Sequence, residues 1–226
     1  MTIIVRDKVE STYRRLKELV LNYQFRPGEP LSAIAIADRL QVSATPVREA
    51  LARLFGEDLV ELVPNRGFFA KTLNPKMMID QYEFAFQIID YAIGRGDNVF
   101  VERNSSWLES LNFYIKRGIR ENNADAIETN CSFIEELYLR MAELSGNQIV
   151  VESIRKFNDQ TRFVRLIDLE MESNFHEIAA DMSTLVNALA RQDVTAAAGN
   201  LRHQLDKKLT RMNDIISEGI IRSLRG

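Results

Sequence analysis

The chain has 226 residues, 46% of them hydrophobic and 27% charged, enough apolar material for one large core or two small ones. It has no apolar run of about 18 residues and no basic-plus-apolar leader at Met1-Thr2-Ile3-Ile4-Val5-Arg6-Asp7, and its lone cysteine, Cys131, excludes an intramolecular disulfide framework, so a cytoplasmic protein without a membrane partner is expected. The net charge of −3 argues weakly against nucleic acid for the chain as a whole, but residues 1–75 hold 11 Lys+Arg against 9 Asp+Glu while the remainder holds 18 against 23, so a mildly basic head precedes an acidic body.

Val9, Tyr13, Leu16, Val20 and Leu21 recur at helical spacing and predict a first helix over about Asp7 to Tyr23. Phe25-Arg26-Pro27-Gly28 then marks a turn. A short helix is predicted over about Ala33 to Leu40, with Ile34, Ile36, Ala37 and Leu40 apolar. A third follows Gln41-Val42 and ends near Phe55-Gly56, with Val47, Ala50, Leu51 and Leu54 on one face. Leu59-Val60-Glu61-Leu62-Val63 and Gly67-Phe68-Phe69-Ala70-Lys71 are strand-like, joined by the turn Pro64-Asn65-Arg66-Gly67. Three helices and a hairpin within about 70 residues form the winged helix-turn-helix layout.

Thr72-Leu73-Asn74-Pro75 reads as a linker, because Asn-Pro favours a turn and a new helix start. The domains are therefore drawn as 1–73, a winged helix-turn-helix, and 74–226, an all-α body. In the body, Tyr82, Phe86, Ile89 and Ile93 mark one helix. Phe133, Leu137, Tyr138, Met141 and Leu144 mark another, ended by Ser145-Gly146-Asn147. Leu185, Val186 and Leu189 mark a third, and Leu201, Leu205, Leu209, Met212 and Ile216 run along the last. No strand pattern competes, so the fold class is mostly α, with a C-terminal bundle of about six or seven helices.

A helix that enters the major groove needs a fixed approach angle, polar side chains on its first turns and an apolar back. The segment Val42-Ser43-Ala44-Thr45-Pro46-Val47-Arg48-Glu49-Ala50-Leu51 supplies all three. Pro46 suits a first turn, where its missing N–H has no intrahelical acceptor. Ser43 or Thr45 can cap that turn, and both hydroxyls suit phosphate contacts. Arg48 projects away from the Val47/Leu51 face, where a guanidinium can donate two hydrogen bonds to a guanine edge or one to phosphate. In the hairpin, Gly67 allows a tight turn that lets Asn65 and Arg66 reach the adjacent minor groove. For Arg39 and Arg53, DNA contact and a surface ion pair are equally open.

These residues, with Pro27-Gly28-Glu29-Pro30-Leu31, Arg53-Leu54, Asp58-Leu59-Val60 and Asn65-Arg66-Gly67, resemble the GntR family of regulators in order and spacing. The resemblance implies double-stranded DNA as partner, with contacts by Ser43, Thr45, Arg48 and the Arg66-Gly67 wing tip. Two departures stand out. The family usually carries Arg where this chain has Ala44, and often a Glu-Arg-Glu-Leu pattern where it has Ala33-Ile34-Ala35-Ile36. One lost bidentate base contact costs about 1–3 kcal/mol, so the departures bear on affinity and operator rather than on fold.

The body resembles, more loosely, the FCD effector domain of the FadR branch, through Leu144-Ser145-Gly146-Asn147, Ala188-Leu189-Ala190-Arg191-Gln192-Asp193 and Ala197 followed by Leu201 and Leu205. Many FCD domains hold a divalent metal with one Asp and three His. The corresponding positions here are Asn130, Ile134, Met182 and Gln204, a poor donor set, so no metal cofactor is expected. His203 is one residue from Gln204, about 100° around a helix, and His176 sits on no ligand spacing; both read as ordinary surface or packed residues. Ala85 and Ile89 stand where the family tends to have Arg and Glu, so a pocket less charged than usual is expected. Asn130, Tyr138, Arg162 and Gln204 are candidates for lining it, with bundle packing the alternative for each.

Three functions compete. The first is a homodimeric regulator on a near-palindromic operator, modulated by a small-molecule effector, with a carboxylate as one candidate class. The second is an effector-independent regulator or interaction scaffold whose body has lost its site. The third, an enzyme, is disfavoured by two His, one Cys, no Gly-rich phosphate loop and no nucleophile elbow.

Overall fold

The structure, a computed structural model, describes residues 2–95, Phe100, Trp107 and residues 124–225. The chain divides into two compact units, Met1–Asn74 together with Ser217–Gly226, and Pro75–Ile216.

The head contains α1 (Thr2–Leu21), α2 (Ala33–Leu40), α3 (Ala44–Gly56), β1 (Val60–Val63) and β2 (Gly67–Ala70). The first helix starts earlier and ends two residues sooner than its apolar spacing predicts. Tyr23 adopts a positive φ of 48°, which leaves helical space before the Pro27-Gly28 turn is reached. Ser32 caps α2 by accepting a hydrogen bond from the Ala35 N–H at 3.4 Å. Gln41 ends that helix in the left-handed conformation, its N–H donating to the Ala37 and Asp38 carbonyls. Val42 donates to the Ala37 carbonyl at 3.0 Å, so the chain is held through the turn into α3.

Both α1 and α2 pack on α3, and α3 packs on β1. Tyr13 and Leu16 from α1, Ile36 and Leu40 from α2, and Val47, Leu51 and Leu54 from α3 are all buried in one core. Each such side chain stabilises the fold by about 1.5–3 kcal/mol through burial. The two strands pair antiparallel, Val60 opposite Ala70 and Val63 opposite Gly67. Leu31 N–H donates to the Phe68 carbonyl at 2.8 Å and Gly28 N–H to the Ala70 carbonyl at 3.0 Å, so the turn before α2 is tied along the outer side of β2.

The body contains α4 (Pro75–Arg95), α5 (Ala124–Glu143), α6 (Gln148–Glu170), α7 (Glu172–Ala190) and α8 (Val194–Arg225), the last of which belongs to this unit as far as Ile216. These are five helices among the described residues. Residues 96–99, 101–106 and 108–123 lie outside the described residues, so the expected count of six or seven helices is compared only over the rest. The helix α4 packs on α5 and α6, α5 packs on α6, and α6 packs on α7. Tyr82, Phe86, Tyr138 and Phe157 meet as an aromatic cluster at their contact, with Tyr82 edge-on to Phe157 at 5.0 Å between centroids. Gly146 turns the chain at φ 64°, and Asn147 caps α6 by accepting from the Ile149 N–H at 2.9 Å. No described helix is long and apolar enough to cross a membrane.

Candidate nucleic-acid interface and candidate ligand cavity

In α3, Val47, Leu51 and Leu54 stand at i, i+4 and i+7, and all three are buried against the head core. Arg48, one residue on from Val47, is turned about 100° from that face and is exposed. No hydrogen bond or ion pair engages it among the described residues, so its donors face solvent. Ser43 occupies the N-cap position with extended backbone (φ −79°, ψ 160°). Its hydroxyl makes no cap hydrogen bond, so of the two residues offered for capping, Ser43 holds the position without the bond. The first N–H groups of α3 and the exposed hydroxyls of Ser43 and Thr45 thus lie together at the positive end of a helix dipole, a geometry suited to a phosphate.

The wing tip is built by its turn. Arg66 N–H donates to the Val63 carbonyl at 3.0 Å, Pro64 occupies the second position, and Asn65 takes φ 62° in the third. That is the pattern of a type II turn, which requires a positive φ there. Gly67 follows at φ 91°, a conformation strained for any residue with a Cβ. Asn65, Arg66 and Gly67 are all exposed. The Arg66 guanidinium stacks over the Phe69 ring at 5.1 Å, which fixes its stem while its charge has no ion pair among the described residues.

The two arginines left open by sequence separate clearly. Arg53 pairs with Glu10 at 2.8 Å and Glu57 at 3.3 Å, and lies 3.5 Å over the Tyr13 ring. Tyr13 and Lys17 of α1 also donate to the Glu57 carboxylate, at 2.7 Å and 3.0 Å. Burial alone would raise the Glu57 pKa, but the hydrogen bonds from Tyr13 and Lys17 prevail and hold it below its ordinary value. Arg53 is therefore part of a clamp that fixes α3 on α1. Arg39 is exposed and rests over the Phe25 ring at 5.6 Å. Sequence reading missed this clamp, because Tyr13 and Glu57 are 44 residues apart and no local pattern links them. At the second departure from the family pattern, Ile34 is 64% exposed and Ile36 is buried, while Ala35 is exposed. Apolar side chains face solvent there, where a charged residue would fit.

In the body, a cavity of about 30 Å³ lies between helices α4, α5, α6, α7 and α8. Its polar lining includes Tyr138, Arg165, Asp181, Gln204, Lys208 and Arg211. A second, apolar cavity of about 10 Å³ adjoins it, the two sharing Ile134, Leu169, Ile178 and Met182. Asp168, fully buried, accepts from Asn174 at 2.7 Å and pairs with Lys208. Arg165 is 3% exposed and donates to Thr161 at 3.1 Å, the Asn158 carbonyl at 3.0 Å and Glu135 at 3.2 Å. Burial would lower the Arg165 pKa, but the nearby Tyr82 and Glu135 oxygens outweigh it and the guanidinium stays charged. Burial pushes the Tyr138 hydroxyl well above its ordinary range, so it keeps its proton at neutral pH.

The four positions suggested for lining a pocket fare differently. Tyr138 and Gln204 line the first cavity and Asn130 lines the second. Arg162 lines neither; it pairs with Glu128, and with Glu135 at 2.5 Å. Three cations, Arg165, Lys208 and Arg211, and one carboxylate, Asp181, face the first cavity. Ala85 and Ile89 are buried packing residues and contribute nothing to that lining.

Of the metal-ligand positions implied by family resemblance, Ile134, Met182 and Gln204 line the first cavity, and Asn130 lines the second together with Ile134 and Met182. The residues there do not fit a divalent ion. Ile134 has no donor atom, Met182 offers only a thioether, and the amide nitrogens of Asn130 and Gln204 donate to the Ala126 and Asp181 carbonyls. Among the described residues, no three His, Cys, Asp or Glu side chains gather to hold a metal. His176 and His203 are both exposed.

Residues 8–70 match the model of the gntR family of bacterial regulatory proteins, and residues 100–207 match the FCD domain. The chain is 28% identical over 179 residues to the Nta operon transcriptional regulator of Aminobacter aminovorans, covering 79% of this chain and 83% of that one. It is 24% identical over 157 residues to the transcriptional repressor RspR of Escherichia coli, covering 69% and 68%. Among solved structures, a GntR transcriptional regulator from Rhodococcus sp. RHA1 superposes with a TM-score of 0.74 at 20% identity, over 92% of this chain and 98% of that one. McbR/YncC of E. coli superposes with a TM-score of 0.71 at 17% identity, over 91% and 97%. With a winged helix-turn-helix head and an FCD body, and with relatives that are transcriptional regulators rather than enzymes, the chain belongs to the GntR family of DNA-binding regulators.

Proposed function

We propose that the protein acts as a homodimer on a near-palindromic operator, reading DNA with Ser43, Thr45, Arg48 and the wing residues Asn65, Arg66 and Gly67, and responding to a small effector bound in the body. The observation that carries the DNA reading is Arg48: exposed, unpaired among the described residues, and set on a helix whose back is fully buried. Base contact is expected from Arg48, backbone contact from Ser43 and Thr45, and minor-groove contact from the wing. A two-fold dimer places two such helices on half-sites one helical turn or a multiple apart.

The dimer reading is supported by α4, whose Phe84 is 61% exposed and Tyr91 51% exposed, with the half-buried Ile88 between them at helical spacing. Monomeric surfaces seldom leave such a stripe uncovered. The effector reading is supported by the cavity of the body, whose charged lining lies among five helices. An effector works by binding one of two dimer arrangements more tightly than the other. The donor set around the cavity favours a body that works without a metal cofactor.

Selection of bound duplexes from a random library, followed by sedimentation of the complex, tests the proposal. Recovery of a two-fold symmetric site bound by two chains is expected. An asymmetric site bound by one chain would contradict it.

A further inference from the structure

We propose that Arg15 of α1 and Arg39 of α2 form a second DNA contact, a sequence-neutral clamp on the phosphate backbone beside the base-reading face of α3. It rests on the DNA reading above and deepens it by adding a backbone subsite outside the contacts already named.

The cations of the head fall into two sets. Arg14, Lys17, Arg53 and Lys71 each pair with a carboxylate. Arg15 and Arg39, like Arg48 and Arg66, are exposed and have no ion pair among the described residues. Sequence left Arg39 and Arg53 open between an ion pair and DNA; Arg53 takes the ion pair and Arg39 does not. Asp38, the carboxylate next to Arg39, is exposed and pairs with neither Arg15 nor Arg39.

Both guanidinium groups are nevertheless held in place. Arg39 rests over the Phe25 ring at 5.6 Å, and that ring is buried in the head core. Arg66 is built the same way, over Phe69 at 5.1 Å. A stacked guanidinium keeps its N–H edges outward and loses little rotamer freedom when it takes up an acceptor. Arg15 donates through one terminal nitrogen to the Leu40 carbonyl at 3.0 Å, one of the carbonyls left open where α2 ends. A cation at a helix C-terminus also stabilises the helix dipole. That capping role occupies one of the five N–H donors of Arg15 and leaves the outward edge of Arg39 unused.

Position supplies what capping does not require. In a helix-turn-helix, the helix before the recognition helix crosses the DNA backbone, and here that helix is α2. Arg39 stands in its last turn, and Arg15 touches its last residue. From Leu40 to Ser43, the N-cap of α3, is three residues, at most about 10 Å of chain. The left-handed Gln41 and the Val42 N–H donated to Ala37 fold that stretch tighter still. A DNA strand carries one phosphate per about 3.4 Å of helix axis. A strand that meets the Ser43 and Thr45 hydroxyls therefore brings neighbouring phosphates past this end of α2. Phosphate is recognised by charge, so the clamp adds affinity and register without adding base preference.

Affinity of the full chain, titrated with sodium chloride from about 50 to about 200 mM, tests the proposal on the duplex selected above and on a scrambled duplex of equal length. Arg15→Gln keeps an amide that can donate to Leu40, and Arg39→Gln keeps a chain that covers Phe25, so each removes charge with little loss of packing. Each lost contact is expected to lower the log–log salt slope by about 0.9. Wild type then loses about threefold to fourfold more affinity over that range than either variant, and about twelvefold more than the double variant. The change is expected to be equal on both duplexes, with the melting temperature of the free chain unchanged. Arg39→Lys is expected to retain the wild-type slope, because a phosphate is also bound by a point charge. An unchanged slope in the double variant, with or without a lowered melting temperature, overturns the inference. So does a loss confined to the operator, or an Arg39→Lys slope as low as that of Arg39→Gln. Arg48→Ala in the same titration separates the two readings. If it loses operator preference while the double variant keeps the wild-type slope, the reading by α3 stands and the clamp falls. If the double variant loses slope while Arg48→Ala keeps its preference, the clamp stands and the readout by Arg48 falls.

Discussion

In the head, Arg48 and Arg66 stand exposed without an ion pair among the described residues, while in the body Arg165 and Asp168 are 3% and 0% exposed and surrounded by partners. The head still uses charge for structure, but a different set does that work. Arg53, Lys17, Glu10 and Glu57 are paired with one another across α1 and α3. A surface that must meet DNA keeps its cations free for phosphates and base edges. A bundle that encloses a cavity cannot leave a charge unpaired, because desolvating it costs several kcal/mol. Contact with a large partner and enclosure of a small one thus call for opposite treatments of the same side chain.

The comparison can be broken at several points. The largest effect is expected in the body. Asp168→Ala leaves Lys208 without its buried partner and removes the carboxylate 3.9 Å from the Arg211 Nε, and should destabilise the chain by about 3–5 kcal/mol, read from the urea midpoint by circular dichroism. A change below about 1 kcal/mol would mean that the network is slack and the cavity open to water. Next is the head, where Arg48→Ala should cost about 1–3 kcal/mol of operator affinity, about 5- to 150-fold, with the melting temperature unchanged. Arg66→Ala is smaller still. It should lower the salt dependence of binding by about one phosphate contact, seen in the slope of affinity against salt concentration; an unchanged slope removes the wing from the interface.

The smallest effect is a pH dependence. The Glu57 pKa is held below its ordinary value of 4.5, so its clamp stabilises the head above that value. The contribution is lost as pH falls through the lowered value. Wild type should therefore lose more stability than Glu57→Gln between about pH 5 and about pH 3. Parallel losses in the two proteins would show that other carboxylates govern acid unfolding.

Much of the head was legible because its signals are local. The spacing of Val47, Ala50, Leu51 and Leu54 gives the buried back of α3, and Arg48, Glu49, Ala52 and Arg53 give the exposed face. Ser43 takes the N-cap position without the bond, because a cap position is set by backbone, whereas a cap hydrogen bond also needs a side-chain rotamer. In the body, helices were readable and their polar contacts were not. Arg162 looked suited to a pocket, yet its partners Glu128 and Glu135 lie on another helix, 34 and 27 residues away in sequence. Arg165, Asp168, Lys208 and Arg211 were overlooked. Their one local sign is a pair of charges at i, i+3 on each of two amphipathic helices, which meets its complement only when α6 and α8 pack.

The most direct measurement compares operator binding and thermal stability of wild type, Arg48→Ala and Arg53→Ala in one buffer. Arg48→Ala should lose operator affinity and keep its melting temperature, and Arg53→Ala should lower the melting temperature and keep most of its sequence preference. If Arg48→Ala binds its operator as tightly as wild type, α3 does not read DNA through that guanidinium and the account of the head is wrong.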